Sequence, residues 1–169
     1  MIFLDESCAK TNLTRLRGRA PRGQRVHAAC PCGRWQTTPL IGALRLDGST
    51  ACMSIEGAAD TPVFDAYVRQ ILRPTLRAGD IVMMDNLSPH KNELTLDLLA
   101  QAGVEVMFLP AYSPDLNPIE KMWSKVKAAL RSAEARTPAE RLEAIAQALR
   151  SVTHQDAINW FASCGYSFI

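Results

Sequence analysis

Three carboxylates, Asp5, Asp85 and Glu120, stand at points of the sequence where predicted strands end or a predicted helix begins. Asp5 follows the apolar run 2–4, and Asp85 follows the wholly apolar run 81–84. Ligand sites in open α/β sheets lie outside the carboxyl ends of the strands. Three hard oxygen donors that meet there suit Mg²⁺ or Mn²⁺, with water and a substrate phosphate completing the metal shells. The chemistry this predicts is two-metal phosphoryl transfer.

Each carboxylate also has a purely structural alternative. Asn117 and Pro118 predict a helix start, with Asn117 as the N-cap and Glu120 in the first turn. A glutamate in that position is also a capping-box residue that bonds back to the N-cap N–H. Asp5 has the alternative of an exposed strand end, and Asp85 that of an Asx turn. The alternatives stay open for each residue taken alone, and the three residues together favour a metal site.

The helix that follows Pro118 is strongly amphipathic. Its apolar positions recur at helical spacing, which predicts a buried stripe made of Ile119, Met122, Trp123, Val126 and Leu130. We interpret Trp123 as a core residue rather than a base-stacking residue. The basic residues off the stripe include Lys121, Lys125 and Lys127. They are candidates for lining a DNA channel, with a solvated helix face as the alternative.

Composition predicts one globular domain with an uneven distribution of charge. The chain has 169 residues, of which 47% are hydrophobic and 21% charged, and its formal net charge is +2. Between Ser7 and Leu46 there are eight basic residues and no acidic one, so the remainder is net acidic. The eight are Lys10, Arg15, Arg17, Arg19, Arg22, Arg25, Arg34 and Arg45. A concentration of this kind favours an anionic partner, and a solvated loop is the alternative.

The cysteines and the hydropathy pattern exclude several classes of protein. The five cysteines are scattered apart from Cys30 and Cys32, which have no second pair at zinc spacing, so we interpret them as ordinary strand or turn residues. The sequence shows no signal peptide and no apolar run that predicts a membrane span. We therefore expect no membrane partner and a reducing cytoplasmic location.

The order of elements predicts an α/β fold. The basic stretch Lys10–Arg25 predicts a loop or hairpin. The strands predicted in the first third are 2–4, 26–30, 35–46 and 50–55, and the last three form an antiparallel meander. From Thr61 the period changes, and helices alternate with strands at 81–84 and 104–109. The helix between these strands is predicted from about Lys91 to Ala102, and capping boxes at Thr137 and Thr153 begin two closing helices. We expect a mixed sheet flanked by helices.

Three stretches of this chain closely resemble DDE transposases. They are Asp5-Glu6, the run from Met84 to Lys91 and the run from Tyr112 to Glu120. The nearest group is the bacterial insertion-sequence-630 family, which is related to mariner elements. The 34 residues between Asp85 and Glu120 are the spacing of that superfamily's motif. Ser88-Pro89 departs from the family pattern ahead of His90, where Gly or Ala with Ser is expected.

The resemblance implies a ribonuclease H-like fold and two catalytic Mg²⁺ or Mn²⁺ ions. In that family the residue matching Asp5 bridges both metals, and those matching Asp85 and Glu120 hold one each. The implied activity is nicking of double-stranded DNA at element ends to leave a 3′-hydroxyl, which then attacks a target containing TA. A homodimer in the DNA complex is also implied. We interpret Asn86, His90 and Asn117 as residues that support the metal site or contact DNA phosphates, with local capping as the alternative for Asn86 and His90.

We expect residues 1–169 to form a single catalytic domain without the helix-turn-helix modules that family members carry. An upstream polypeptide, joined by frameshifting, is a candidate for supplying them, and a truncated copy is the alternative. The expected location is the cytoplasm of a bacterium, at the nucleoid. DNA binding would then be mainly electrostatic, through the arginines of one segment: Arg15, Arg17, Arg19, Arg22 and Arg25. Two other hypotheses remain, a non-catalytic DNA-binding or regulatory fragment and a related nuclease of the same fold.

The site hypothesis makes two predictions about geometry and charge. The carboxylates of Asp5, Asp85 and Glu120 should converge, at about 4–8 Å from one another, while Glu6 points elsewhere. Because gathered carboxylates repel one another, at least one should hold its proton more tightly than a free carboxyl group.

Overall fold

The computed structural model describes residues 1–33 and 35–166, so Arg34 of the basic set lies outside the described residues. A five-stranded sheet forms the centre, in the order β3-β2-β1-β4-β5. The strands are β1 (Ile2–Lys10), β2 (Thr37–Arg45), β3 (Thr50–Ser54), β4 (Ile81–Met84) and β5 (Glu105–Phe108). β1 to β3 are antiparallel, whereas β4 and β5 run parallel to β1. The predicted mixed sheet is confirmed.

In the described part of the chain, five α-helices cover the two faces of this sheet. They are α1 (Thr61–Tyr67), α2 (Glu93–Gln101), α3 (Pro118–Ala133), α4 (Pro138–Arg150) and α5 (His154–Ser163). The N-cap of α1 is Asp60, whose side chain accepts a hydrogen bond from the Val63 N–H. It continues through a π-helical turn and a 3₁₀ turn that contains Pro74. No helix in the described part of the chain is long and apolar enough to cross a membrane.

The alternation of side chains along β1 divides the core into two layers. Phe3 packs on the face covered by α3, α4 and α5, in a cluster that includes Trp123 and Phe161. Leu4 packs on the opposite face, in a cluster with residues of α1 and α2. The predicted stripe on α3 is fully buried, and Trp123 is a core residue as expected. Gly42 on β2 is required there, because a Cβ on it would lie 2.7 Å from the Trp123 ring.

The predicted strand at 26–30 is wrong. These residues lie in an exposed irregular segment that joins β1 to β2. β1 is already paired on both sides, with β2 and with β4, so the sheet has no open edge beside it. Residues 26–30 contain a single large aliphatic side chain, that of Val26, which cannot replace a missing partner strand. The antiparallel meander therefore consists of β1, β2 and β3.

Candidate active site

Asp5 lies in the middle of β1, and the prediction that it ends the strand is wrong. β1 continues to Lys10 because its antiparallel pairing with β2 runs on through Asp5↔Gly42 to the last residue. Its parallel pairing with β4, however, covers only Ile2 and Phe3. Asp5 thus stands just past the carboxyl end of β4. By strand alternation its side chain shares the face of Phe3, which α3 covers.

The Asp5 carboxylate is buried, with only 8% of the residue exposed. Its Oδ1 accepts a hydrogen bond from the Glu6 N–H at 2.7 Å, and its Oδ2 accepts one from Asn117 Nδ2 at 3.3 Å. Burial raises the pKa of Asp5 to about 7, and the negative charges of Glu120, Asp85 and Glu6 add to that effect against the Glu6 hydrogen bond. The predicted retention of a proton is confirmed in direction, with burial as its first cause and repulsion as its second.

Asn117 stands at the N-cap position of α3 but does not cap the helix with its side chain. Its Nδ2 donates to Asp5 instead, and its Oδ1 is buried without a hydrogen-bond partner in the described part of the chain. The prediction that Asn117 caps α3 is therefore wrong for the side chain and right for the position. The contact with Asp5 holds the Asn117 amide in an orientation in which Oδ1 accepts no N–H of the first turn.

Glu120 lies in the first turn of α3, and its backbone N–H donates to the Asn117 carbonyl at 3.1 Å. Within residues 1–33 and 35–166, no hydrogen bond joins its carboxylate to the Asn117 N–H. The capping-box alternative is therefore not the arrangement present. The Glu120 carboxylate instead lines the same depression as Asp5.

Asp85 follows β4 directly and carries two hydrogen bonds on one oxygen. Its Oδ1 lies 2.6 Å from Nδ1 of His90 and accepts the Leu87 N–H at 3.1 Å. The second contact is the Asx turn that was the structural alternative for this residue, so both interpretations coexist. Burial acts to raise the pKa of Asp85, but the His90 and Leu87 hydrogen bonds and the His90 charge outweigh burial and lower it.

His90 is fully buried and lies between two carboxylates. Its Nδ1 faces Asp85, its Nε2 is 3.5 Å from Oε1 of Glu6, and its ring stacks at 4.5 Å from that of Phe64. Burial acts to lower the pKa of His90, but the hydrogen bonds and charges of Asp85 and Glu6 raise it to about 9. His90 is thus an imidazolium at neutral pH that holds the Asp85 carboxylate in place.

Asn86 fixes the neighbouring strand end. Its Nδ2 donates to the Leu109 carbonyl at 2.6 Å, which ties the residue after β4 to the residue after β5. The side chain also lines the depression beside Asp85. Asn86 therefore acts on the shape of the site through the backbone.

Asp5, Asp85 and Glu120 line one cleft of about 410 Å³, which we call the carboxylate cleft. Its other walls come from the strand-end loops, including Asn86, Pro110 and Tyr112. Glu6 does not line it, because alternation sends that side chain to the opposite face. Among the residues that the structure describes, no three His, Cys, Asp or Glu side chains are spaced closely enough to hold a metal ion as they stand.

The donor set nevertheless fits a divalent cation. All three ligands are carboxylates, the donors that Mg²⁺ and Mn²⁺ select. Burial raises the pKa of Asp5, and the neighbouring carboxylates add to that effect, so a cation bound there would stabilise the ionised carboxylate. Asn117 Oδ1 is a further buried oxygen there without a partner in the described residues.

Comparison with known proteins supplies the family. A model of the DDE superfamily endonucleases matches residues 1–143. The chain belongs to this family. The match contains all three carboxylates of the cleft, and it covers most of the chain. The recognition of a DDE catalytic domain from the sequence is confirmed.

Proteins similar to this chain include one transposase that is related in sequence and several transposases of known structure. The transposable element Tcb1 transposase of Caenorhabditis briggsae is 26% identical over 102 residues, which are 58% of this chain and 37% of the relative. The Mos1 transposase in a paired-end complex with the left transposon end has a TM-score of 0.69 at 18% identity, over 99% of this chain and 56% of that one. The Mos1 catalytic domain has a TM-score of 0.62 at 16% identity, over 99% and 83%.

The structural likeness confirms the ribonuclease H-like fold of this DDE endonuclease. The chain spans 37% of the Tcb1 transposase and 56% of the Mos1 chain in the paired-end complex, so activities of those whole proteins do not pass to it directly. Mos1 paired-end complexes have also been solved with Mn and with Mg. DDE enzymes of this kind use divalent metal ions.

The predicted DNA contacts of this DDE endonuclease fall into two groups. The five arginines of the segment between β1 and β2 are exposed: Arg15, Arg17, Arg19, Arg22 and Arg25. Arg15 alone among them has a carboxylate nearby, that of Glu134 at 3.8 Å. On α3, Lys121 is exposed and Lys127 half-buried. Lys125 differs, because its Nζ donates to Asp156 Oδ2 at 2.6 Å and to the Ser151 carbonyl at 2.7 Å, which fastens α3 to α5.

Two residues of interest were missed in the sequence. Tyr112 lines the carboxylate cleft, is fully exposed and has a left-handed backbone with φ of 58°. Its position inside a specific motif was a signal, but nothing in the residue type indicated exposure. Arg141 is buried with 6% exposure, and an arginine between Glu140 and Leu142 on a predicted helix gives no signal of burial.

Proposed function

We propose that this chain is the catalytic part of a DNA transposase, which nicks DNA at the ends of a mobile element and joins the resulting 3′-hydroxyl to target DNA. One observation carries the proposal. Asp5, Asp85 and Glu120, all inside the family match, line a single cleft at the carboxyl edge of the sheet. Phosphodiester exchange requires no nucleotide, and the chain has no phosphate-binding Gly-rich loop with Lys and Ser or Thr.

The proposed cofactors are two Mg²⁺ or Mn²⁺ ions, which Asp5, Asp85 and Glu120 would hold. Divalent ions in such a site activate a water or 3′-hydroxyl and stabilise the leaving oxygen. The chain's own contribution is orientation. Asn117 holds one oxygen of Asp5, and His90 holds one oxygen of Asp85. The second oxygen of Asp85 accepts no hydrogen bond in the described part of the chain, whereas the second oxygen of Asp5 accepts the Glu6 N–H.

The proposed substrate is double-stranded DNA at element ends, followed by a target containing TA. The exposed arginines between β1 and β2, together with Lys121 and Lys127, form the surface we assign to the DNA backbone. Lys125 is left out of that surface because its charge is already paired with Asp156. We further propose a homodimer in the DNA complex and recognition of the element ends by helix-turn-helix modules. The proposed location is the bacterial nucleoid.

The test is a nicking and strand-transfer assay on a supercoiled plasmid that carries the DNA flanking the reading frame. Asp85→Asn should lower the Mg²⁺-dependent rate by about a thousandfold or more, roughly 4 kcal/mol of barrier. Asp97→Asn is the matched control, since Asp97 is an exposed aspartate on α2 outside the cleft. It should keep the full rate.

Metal binding gives a second readout on the same proteins. Mg²⁺ or Mn²⁺ should raise the melting temperature of the unmodified chain and of Asp97→Asn, and not that of Asp85→Asn. A wild-type chain that binds the plasmid and never nicks it would favour the non-catalytic fragment. An Asp85→Asn variant that nicks at the wild-type rate would refute the catalytic site.

A further inference from the structure

A second pocket lies away from the carboxylate cleft, where β2 begins and β3 ends. It has a volume of about 630 Å³. Its walls include Thr38 on β2, Ser54 on β3, and Pro138, Arg141 and Leu142 in the first turns of α4. None of these residues belongs to the site described above. The pocket therefore needs its own explanation.

Arg141 is a buried cation without an acidic partner. The residue is 6% exposed, its Nε donates to Thr38 Oγ1 at 2.8 Å, and its Nη1 is buried with no hydrogen-bond partner in the described part of the chain. No carboxylate of residues 1–33 or 35–166 lies within ion-pairing distance of it. A buried guanidinium left unpaired is strongly unfavourable, so an anion that reached Arg141 from the pocket would stabilise it.

The surroundings favour an anion as well. Arg141 lies in the first turns of α4, a helix of 13 residues whose amino end carries partial positive charge. The carboxylate of Glu140 is turned away, since it accepts the N–H groups of Arg136 and Thr137 in the capping box. One carboxylate, that of Glu56, does line the pocket, and it is exposed to solvent.

The neighbouring surface indicates which anion. Gln36, the last residue before β2, lines the pocket, and its N–H and carbonyl bond to Thr11 at the start of the arginine-rich segment. Arg136, next to the α4 cap, donates to the Thr11 and Leu13 carbonyls at 3.0 Å each. The pocket thus opens beside the root of a segment with five exposed arginines. A guanidinium fork beside a row of exposed arginines suits consecutive phosphates of one polyanion.

We propose that the Arg141 pocket binds a backbone phosphate of DNA, at a position that continues the arginine-rich surface and is separate from the carboxylate cleft. The proposal rests on the proposed function, which supplies DNA as the partner. Arg141 is then a positioning contact. It fixes the register of the duplex on the domain, and it does not touch the reacting phosphodiester.

The first test compares salt dependence of DNA binding for two variants of one helix. A fluorescein-labelled random duplex is titrated with wild type, Arg141→Gln and Arg150→Gln between about 50 and 200 mM salt. Arg150 is the matched control, because it is an exposed arginine at the other end of α4 that already pairs with Glu143. Arg141→Gln should bind roughly tenfold more weakly and lose about one unit of salt slope. Arg150→Gln should match wild type.

A second variant tests the acidic wall. If the pocket takes a phosphate, Glu56→Gln removes a repelling charge and should tighten duplex binding about two- to threefold. If Glu56 is instead the water-bridged partner of Arg141, the same change should leave binding unaltered and lower the melting temperature, which would overturn the proposal.

A measurement on the unmodified chain covers the case in which Arg141→Gln does not fold. The Nε–H resonance of Arg141 should shift on addition of the duplex and of inorganic phosphate. No shift with either probe overturns the proposal. A shift that depends on protein concentration and not on phosphate would assign the pocket to a carboxylate of a second copy, and would overturn it too.

Failure of the two proposals is distinguishable. If wild type does not bind the duplex at any salt concentration, the proposed function fails together with the pocket. If wild type binds and Arg141→Gln has the same affinity and slope as Arg150→Gln, the pocket assignment alone fails.

Discussion

Two aspartates of nearly equal burial, Asp5 and Asp80, stand at opposite ends of the sheet in opposite electrostatic states. Asp5 is 8% exposed and Asp80 is 9% exposed. Asp80 immediately precedes β4, whereas Asp5 lies just past the carboxyl end of that strand's pairing with β1. Both oxygens of Asp80 bind Arg45 at 2.7 Å, and one of them also accepts the Arg77 N–H at 2.8 Å. Asp5 has no basic partner in the described residues and has three carboxylates around it.

The difference appears directly in the pKa values. The Arg45 hydrogen bonds lower the pKa of Asp80, whereas burial and neighbouring negative charge raise that of Asp5 to about 7. A buried carboxylate with an arginine fork satisfies itself and serves the fold. One that is left among other carboxylates weakens the fold and retains affinity for a cation. The partners of a charged group, more than its burial, separate the structural end of this sheet from the functional end.

The largest expected effect comes from neutralising Asp5. Asp5→Asn should lower Mg²⁺-dependent nicking by about a thousandfold or more, because a metal ligand is lost. In EDTA at pH 8 the same variant should be more stable than wild type. The new amide still accepts the Glu6 N–H on its oxygen, and once the Asn117 amide turns over, its NH₂ group can donate to Asn117 Oδ1. Calorimetry and the plasmid assay on one preparation test both effects. A variant that is inactive and also less stable than wild type would contradict the claim that Asp5, unlike Asp80, weakens the fold.

Neutralising Asp80 should have the opposite effect on stability. Asp80→Asn leaves the Arg45 guanidinium largely buried and unpaired, so the free energy of unfolding should fall by about 3–5 kcal/mol. Urea unfolding measures it. Arg45→Met combined with Asp80→Asn removes the unpaired charge and should recover part of the loss. A double variant less stable than the sum of the single changes would contradict the role of the pair.

The pH dependence of the metal-free chain should contain both signs. Asp5 has a folded pKa of about 7 against an ordinary value of 3.8, so the folded state binds more protons between these values. The contribution of Asp5 to the free energy of unfolding therefore falls by up to about 4 kcal/mol as the pH rises from its ordinary pKa to its folded pKa. Asp80 has a lowered pKa, so its contribution is present above its ordinary value and is lost as pH falls through the folded pKa. Chemical unfolding measured between about pH 3 and about pH 8 tests both signs. Asp5→Asn should remove the fall in the free energy of unfolding toward high pH, and Asp80→Asn should remove part of the fall toward low pH.

Much of the fold could be predicted because its signals were local. The wholly apolar run of β4 gave the bounds Ile81–Met84 as observed, and the two capping boxes gave the starts of α4 and α5. The strand at 26–30 failed because strand formation depends on an available partner, which is a property of the whole sheet. The predicted strand β1 was too short for the same reason, since β2 pairs with β1 beyond its apolar residues.

The three carboxylates of the cleft were predictable as a set, and their surroundings were not. Nothing local indicates that Asn117 gives up its cap for Asp5, 112 positions away in the chain. The same is true of His90 between Asp85 and Glu6, and of the buried Arg141. These contacts join elements that only the tertiary fold brings together.

The smallest expected effect extends the comparison to two lysines of one helix. Lys125 pairs with Asp156, whereas Lys121 has no ion-pair partner in the described residues and is exposed. By the logic of Asp80 and Asp5, the paired charge serves the fold and the unpaired one is available to DNA. Lys125→Gln should lower the free energy of unfolding by at most about 1 kcal/mol, because the pair is partly exposed, and should leave the salt slope of duplex binding unchanged.

Lys121→Gln should do the reverse, with unchanged stability and a salt slope about one unit shallower, as the loss of one phosphate contact requires. Because both variants remove one positive charge from α3, the pair controls for net charge. Thermal unfolding and duplex titration at two salt concentrations test it. If both variants change the slope equally, only total charge matters on this face, and the distinction between partnered and unpartnered groups does not extend to the surface of α3.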